Sequence, residues 1–193
     1  MSSEIHIHHD KHILSGEILS QTGVLAAKCY QCGKCSAGCP LSDEMDYPPS
    51  VIMRMLQTGF SENEEKVLRS YTIWLCVTCE MCYERCPMEI DIPVVMDFLR
   101  EKSLKLKKTN KKAKDIIAFH KAFLSTVNKT GRLFEIGLIA GYKLNTFHLT
   151  QDVALAPKML SRGKLPLLPE KIKNKKNIAD IFNKTLKNKE KNI

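Results

Sequence analysis

The sequence has no apolar run near the ~18–20 residues that a membrane span requires. Its best candidate, GLIAGY at 137–142, is far too short. The first residues, MSSEIHIHHDKHIL, lack a basic start followed by an apolar stretch. No secretory signal is therefore expected, and the cytoplasm is the expected compartment. No G-x-G-x-x-G follows a strand pattern, which argues against a flavin or nicotinamide site within this chain. H-E-x-x-H and phosphate-loop motifs are absent, and so is any adjacent Cys-Cys pair. Cysteine is missing from most of the chain. All eight fall in two groups, at 29, 32, 35, 39 and at 76, 79, 82, 86. A disulfide scaffold scatters its cysteines to staple distant loops, so this clustering in a reducing compartment points to metal or redox chemistry.

What is present is a chain of 193 residues, 44% of them hydrophobic, enough for a real core. Its charge is uneven. Residues 1–100 carry 8 Lys+Arg against 14 Asp+Glu, a net of −6, and residues 101–193 carry 22 against 7, a net of +15. A basic half suits an acidic partner or simply a solvated lysine-rich surface.

Helical signals dominate. Residues 1–14, with His6, His8, His9 and His12, show no element and no spacing that specifies a metal site. A short helix is expected over 15–22, ending at Gly23. Pro48 and Pro49 open a helix through VIMRMLQT, with Gly59 as its stop. Ser61 and Glu64 have capping-box spacing for a second helix, EEKVLRSY. Met45, Met53 and Met55 read as core, and Trp74 as packing beside the second cysteine group. Pro93 opens a helix with Val94, Val95, Phe98 and Leu99 on one face. From Asn110, the residues Ile116, Ile117, His120, Phe123, Leu124 and Val127 repeat at helical spacing up to Gly131, with His120 expected to be buried or at the boundary. Helices over 133–144 and 157–161, an extended KLPLLPEKI at 164–172 and an amphipathic C-terminal helix complete the expectation. The fold class is mainly α. The expected domains are an N-terminal extension (1–22), a two-cluster domain (23–108) and a basic helical extension for partner docking (109–193).

Both cysteine groups read C-x2-C-x2-C-x3-C-P, as CYQCGKCSAGCP and CVTCEMCYERCP. Zinc sites usually take two cysteines per knuckle. Three thiols in C-x2-C-x2-C can instead serve three corners of a [4Fe–4S] cube, while the fourth cysteine ligates the other cube in two-cluster ferredoxins. The spacing thus predicts two [4Fe–4S] clusters held crosswise: Cys29, Cys32, Cys35 and Cys86 on one, and Cys76, Cys79, Cys82 and Cys39 on the other. Pro40 and Pro87 turn the chain away afterwards. Gly33 and Gly38 are expected to let backbone N–H groups approach sulfur. With every iron ligated by protein, electron transfer is favoured over catalysis, and no catalytic residue is expected.

The doubled motif, PPSVIMRMLQTG between its halves, the exit PMEIDIPVVMDFLR and the later HKAFLSTVNKTGRLFEIGLIAGYKL and LAPKMLSRGKLPLLPEKI resemble the C subunit of heterodisulfide reductase, over roughly residues 20–185. The resemblance implies an α-helical ferredoxin fold and a place in methanogenesis. It implies a relay of electrons from a flavin-containing A subunit to a B subunit that reduces the mixed disulfide of coenzyme M and coenzyme B. A hydrogenase or formate dehydrogenase would supply the electrons in the soluble complex. The absent Cys-Cys pairs fit a protein separate from the one that carries the reductase site.

Helical ferredoxins also serve fumarate reductase, succinate dehydrogenase and anaerobic glycerol-3-phosphate dehydrogenase. Their iron–sulfur subunits often carry a plant-type ferredoxin or paired-cysteine domain in the same chain, and neither is present here. The basic half also raises nucleic-acid binding, but the aromatics fall on helical apolar faces rather than on a basic stacking surface, so no nucleic-acid partner is expected.

Overall fold

The computed structural model describes residues 13–147, 155–163, 166, 168–170, 172–173 and 175–191. The N-terminal histidines and part of the KLPLLPEKI segment lie outside the described residues. Those described form helices and short turns with no strand among them. The chain divides into two compact units, residues 1–113 and 114–193.

The first unit contains α1 (Leu14–Thr22), α2 (Lys34–Ala37), α3 (Pro49–Thr58), α4 (Ser61–Leu68), α5 (Thr72–Leu75), α6 (Met81–Glu84) and α7 (Ile92–Lys105). Helix α3 begins where Pro49 can occupy the first turn without losing a hydrogen bond, and it stops at Gly59, whose φ of 63° is left-handed. Gly23, at φ 73°, ends α1 in the same way. Asp91 caps α7, accepting from the Val94 amide at 3.0 Å, and Pro93 follows inside the first turn.

The core is where the apolar faces of these helices meet. Ile18, Ile52, Met53, Leu56, Val67, Ile73, Val95, Met96 and Leu99 are all buried. Met45 and Met55 are buried as expected. Three sequence expectations shift here. On α7 the buried face uses Met96 with Val95 and Leu99, while Val94 is exposed. The capping box at Ser61 does not form. Instead, Ser61 is the first residue of α4 and Glu64 accepts from the Leu14 amide at 2.6 Å, pinning the start of α1. Helix α4 therefore begins earlier than EEKVLRSY implied.

One carboxylate ties the exit of the first cysteine group to the entry of the second. Asp46 accepts from the amides of Tyr71 (2.7 Å) and Thr72 (2.9 Å), at the start of α5. The buried Thr72 hydroxyl lies 2.7 Å from both Asp46 Oδ1 and the Tyr47 carbonyl, and accepts from the Tyr47 amide at 3.1 Å. Burial alone would raise the Asp46 pKa. The hydrogen bonds from Thr72, Tyr71 and Tyr47 outweigh it and hold the carboxyl below its usual range.

The second unit contains α8 (Lys114–Thr130), α9 (Glu135–Thr146), α10 (Ala156–Ser161) and α11 (Lys175–Lys191). Helices α8 and α9 pack closely because their contact is made of small residues. Ala118, Ala122 and Thr126 form the buried stripe of α8, and a Cβ added at Gly141 would lie 3.3 Å from that of Ala122. Of the stripe expected from periodicity, Ile116, Ile117 and Val127 are half-buried, while Phe123, Leu124 and His120 are exposed, the His120 ring meeting that of Phe119 edge-on. Small side chains let the backbones approach along the centre of the contact, and aromatics meet at its edge, where Phe119 of α8 packs edge to face with Tyr142 of α9 at 6.3 Å.

Two outcomes test this packing. Leu99→Ala should cost about 2–5 kcal/mol in denaturant unfolding, the usual range for a fully buried leucine. Asp46→Asn should cost about 0.5–1.5 kcal/mol at neutral pH, since Asp46 is exposed to screening water and asparagine keeps one acceptor oxygen. A carboxyl with a depressed native pKa stabilises above its unfolded value and loses that contribution as pH falls through the native one. The gap between wild type and variant should therefore close below about pH 4, measured by unfolding across pH. A gap that is constant across pH would contradict this role for Asp46.

Candidate iron–sulfur site

Each cysteine group winds through the same backbone path. Gln31 and Gly33 have φ of 63° and 76°, and Thr78 and Glu80, at the matching places in the second group, have 50° and 63°. The hand of the backbone thus alternates on either side of the second cysteine and curls the chain there. Only glycine takes this conformation without strain, so Gln31, Thr78 and Glu80 hold it at a cost of about 1–2 kcal/mol per residue. Helices α2 and α6, one turn each, then carry the third cysteines, Cys35 and Cys82.

These two helices pack against each other. Gly38 meets its counterpart Arg85, which occupies the same position in the other motif. A Cβ added to Gly38 would stand 2.6 Å from Arg85 Cδ. Gly38 thus makes room for a side chain of the other motif, a different reason from the approach of backbone amides to sulfur expected from the sequence.

The face-to-face arrangement brings thiols of different groups together. Cys39, from the first motif, lines one cavity with Cys76, Cys79 and Cys82. The rest of that wall is apolar and includes Met45, Met81, Ile92 and Met96. On the other side, the Tyr30 phenol is pushed up in pKa, first by loss of water around its hydroxyl and then by the neighbouring thiols of Cys32, Cys86 and Cys29. Cys86, from the second motif, is thus near enough to Tyr30 of the first for its charge to be felt there. Its Sγ accepts from the Ile90 amide at 3.4 Å. Cys29 lines an open recess with Tyr30, Gln31, Arg54 and Gln57.

Burial governs the thiols themselves. It pushes Cys82 up to about 12, with the charge of Cys76 adding and that of Cys35 adding less. It also raises Cys35, against hydrogen bonds from Ser36, and Cys76, where Arg100 opposes and Cys39 adds. Cys32 and Cys79 are exposed. The three raised thiols, Cys35, Cys76 and Cys82, keep their protons until a metal displaces them. Among the described residues no three His, Cys, Asp or Glu side chains gather closely enough to share one ion. A [4Fe–4S] cube asks for one thiolate at each of four irons, and soft sulfur donors around an apolar cavity fit that demand.

Several contributors are not apparent from spacing. Gln57 on α3 donates to the carbonyls of Cys29 (2.6 Å) and Ala26 (3.1 Å), and its Oε1 accepts from Gln31, which also donates to Cys29 Sγ at 3.3 Å. Arg100 on α7 donates to the carbonyls of Cys76 and Ile73. Ser36 and Ser50 join α2 to α3 through their hydroxyls, 2.7 Å apart. The available signal is positional: Gln57 lies eight residues after the helix-opening Pro49, and Arg100 seven after Pro93. Trp74, expected beside this site, is buried in α5 two residues before Cys76.

Comparison with known proteins bears on the same region. A family model described as a 4Fe-4S dicluster domain matches residues 25–90. The C-type iron–sulfur subunit of the CoB–CoM heterodisulfide reductase from Methanopyrus kandleri is 44% identical over 64 residues, 33% of this chain and 32% of that one. The C subunit of the H2:CoB–CoM heterodisulfide,ferredoxin reductase from Methanothermobacter marburgensis is 33% identical over 103 residues, 53% of this chain and 50% of that one. The C subunit of the ferredoxin:CoB–CoM heterodisulfide reductase from Methanosarcina acetivorans is 35% identical over 77 residues, 40% of this chain and 30% of that one. The chain thus spans between about a third and a half of the length of these curated relatives. Its described helices include none long and apolar enough to cross a membrane. The eight-cysteine region, whose elements are all helices, matches a 4Fe–4S dicluster domain and is similar in sequence to the C subunits of heterodisulfide reductases.

Proposed function

We propose that this chain is the electron-transfer subunit of a CoB–CoM heterodisulfide reductase, placed between a flavin-containing A subunit and a disulfide-reducing B subunit, with a hydrogenase or formate dehydrogenase upstream. When bound, two [4Fe–4S] clusters would supply one-electron carriers in series. Cys29, Cys32, Cys35 and Cys86 would hold one, and Cys76, Cys79, Cys82 and Cys39 the other. The chain contributes ligands and surroundings and no catalytic group of its own.

The observation that supports this reading is Cys39, of the first motif, lining one cavity with Cys76, Cys79 and Cys82 of the second. Crossed ligands require the two sites to be neighbours, which is what a relay needs. The exposed Tyr30, Val77 and Tyr83 lie within the motifs themselves and offer a water-poor surface to partners that deliver or remove electrons. The second unit supports a docking role by its own composition. It is strongly basic, and it exposes Phe119, Phe123, Leu124, Ile139, Leu144 and Phe147 among its described residues. Exposed apolar side chains among lysines suit an acidic protein surface with apolar pockets.

The test is iron and acid-labile sulfide analysis of protein purified without oxygen, with EPR after reduction by dithionite. About eight irons and eight sulfides per chain, with the spectrum of two interacting reduced clusters, are expected. Zinc without sulfide would overturn the reading. Co-purification with A and B subunits, rather than with succinate- or glycerol-3-phosphate-oxidising ones, is the expected outcome for the complex.

A further inference from the structure

The two halves of the cysteine domain repeat more than their cysteines. In each, a long polar side chain from the helix that follows the motif reaches back to the motif's first cysteine. Gln57 on α3 donates to the carbonyls of Cys29 and of Ala26, three residues earlier. Arg100 on α7 donates to the carbonyls of Cys76 and of Ile73, again three residues earlier. The mechanical task is the same: both fasten the last turn before the motif, and its first cysteine, to the helix behind.

The chemistry of the two fasteners differs. Gln57 is neutral, and its remaining amide oxygen is taken by Gln31 at 3.2 Å. Arg100 is cationic, and its side chain is 17% exposed. Its one carboxylate partner, Asp97 at 2.6 Å, is 60% exposed, so water screens the negative charge far more than the positive one. A largely buried positive charge therefore sits against Cys76, whereas the cation that shares the recess of Cys29, Arg54, is exposed and screened by water.

We propose that Gln57 and Arg100 are equivalent positioning residues whose difference in charge separates the potentials of the two sites, with Arg100 raising the potential of the one containing Cys76. A fixed positive charge favours whichever state carries more negative charge, which is the reduced one. At equilibrium a single electron shared between the sites would then reside at Cys76, Cys79, Cys82 and Cys39 more than Arg100→Gln would allow. This inference rests on the two-cluster reading above, and it extends that reading from which residues are ligands to which end of the relay is the stronger acceptor.

The experiment is a redox titration followed by EPR on the anaerobically purified full chain and on R100Q, R100K and D97N, with iron and sulfide measured on each sample. R100Q gives the second site the neutral fastener of the first. It should lower one of the two potentials by at least a tenfold change in the oxidised-to-reduced ratio, which is 59 mV for one electron, and leave the other in place. R100K, which keeps the charge, should retain most of the wild-type value. D97N leaves the contacts to both carbonyls intact and removes the screened countercharge, so it should move the same potential upward. Full iron and sulfide with both potentials unchanged in R100Q and D97N would overturn the proposal, as would a shift shared equally by both sites. Loss of one cluster in R100Q together with an unmoved potential in D97N would make Arg100 a purely structural support and would also overturn it. Absence of iron and sulfide in the wild type would instead overturn the two-cluster reading.

Discussion

In two-cluster ferredoxins the cysteine four residues beyond a C-x2-C-x2-C turn ligates the other cube, not the one that the turn encloses. The first unit is arranged as that constraint requires. If the fourth thiol of each motif is to reach a metal, another motif must be waiting on its outer side. Helices α2 and α6 accordingly lie against each other, Gly38 of one motif yields its side-chain space to Arg85 of the other, and Asp46 ties the chain leaving the first motif to the helix entering the second. Helices α1, α3, α4 and α7 then form the apolar backing that holds both turns in place.

The repeat so formed is deeper than the cysteines. Each half has a helical turn ahead of the motif, a one-turn helix within it, a proline near the start of the following helix, and a side chain from that helix returning to the first cysteine. The halves diverge where side chains face the cysteines: glycine against glutamate at 33 and 80, glutamine against arginine at 57 and 100. Two sites of one geometry can in this way acquire different electrical surroundings, which is the condition for directional transfer through a pair. An A subunit, a B subunit and the basic second unit that we assign to docking would give that direction its two ends.

Much of this is legible in the sequence, for identifiable reasons. Helix ends at Gly23, Gly59 and Gly131, and starts at Pro49 and Pro93, follow from backbone restrictions local to those residues. The cysteines follow from spacing that few other structures require. Val94 and His120 depart from expectation because periodicity reports that a helix has an apolar face, while the partner helix decides which stripe is covered. On α8 the partner comes close enough to select Ala118, Ala122 and Thr126. The Glu64 carboxylate goes to Leu14, fifty residues away, and no local motif announces such a bond. Gln57 and Arg100 are hidden for the same reason: their partners are carbonyls, which every residue carries.

The crossing of ligands is the central claim, and iron counts on paired serine variants test it directly. Removing Cys39 together with Cys76 strikes a single site if the ligands cross, and should leave about four irons per chain. Removing Cys39 together with Cys29 strikes both, and should leave the chain nearly free of iron. The reverse pattern, four irons kept without Cys39 and Cys29 and few without Cys39 and Cys76, would show that each motif serves its own cluster and would contradict the crossing.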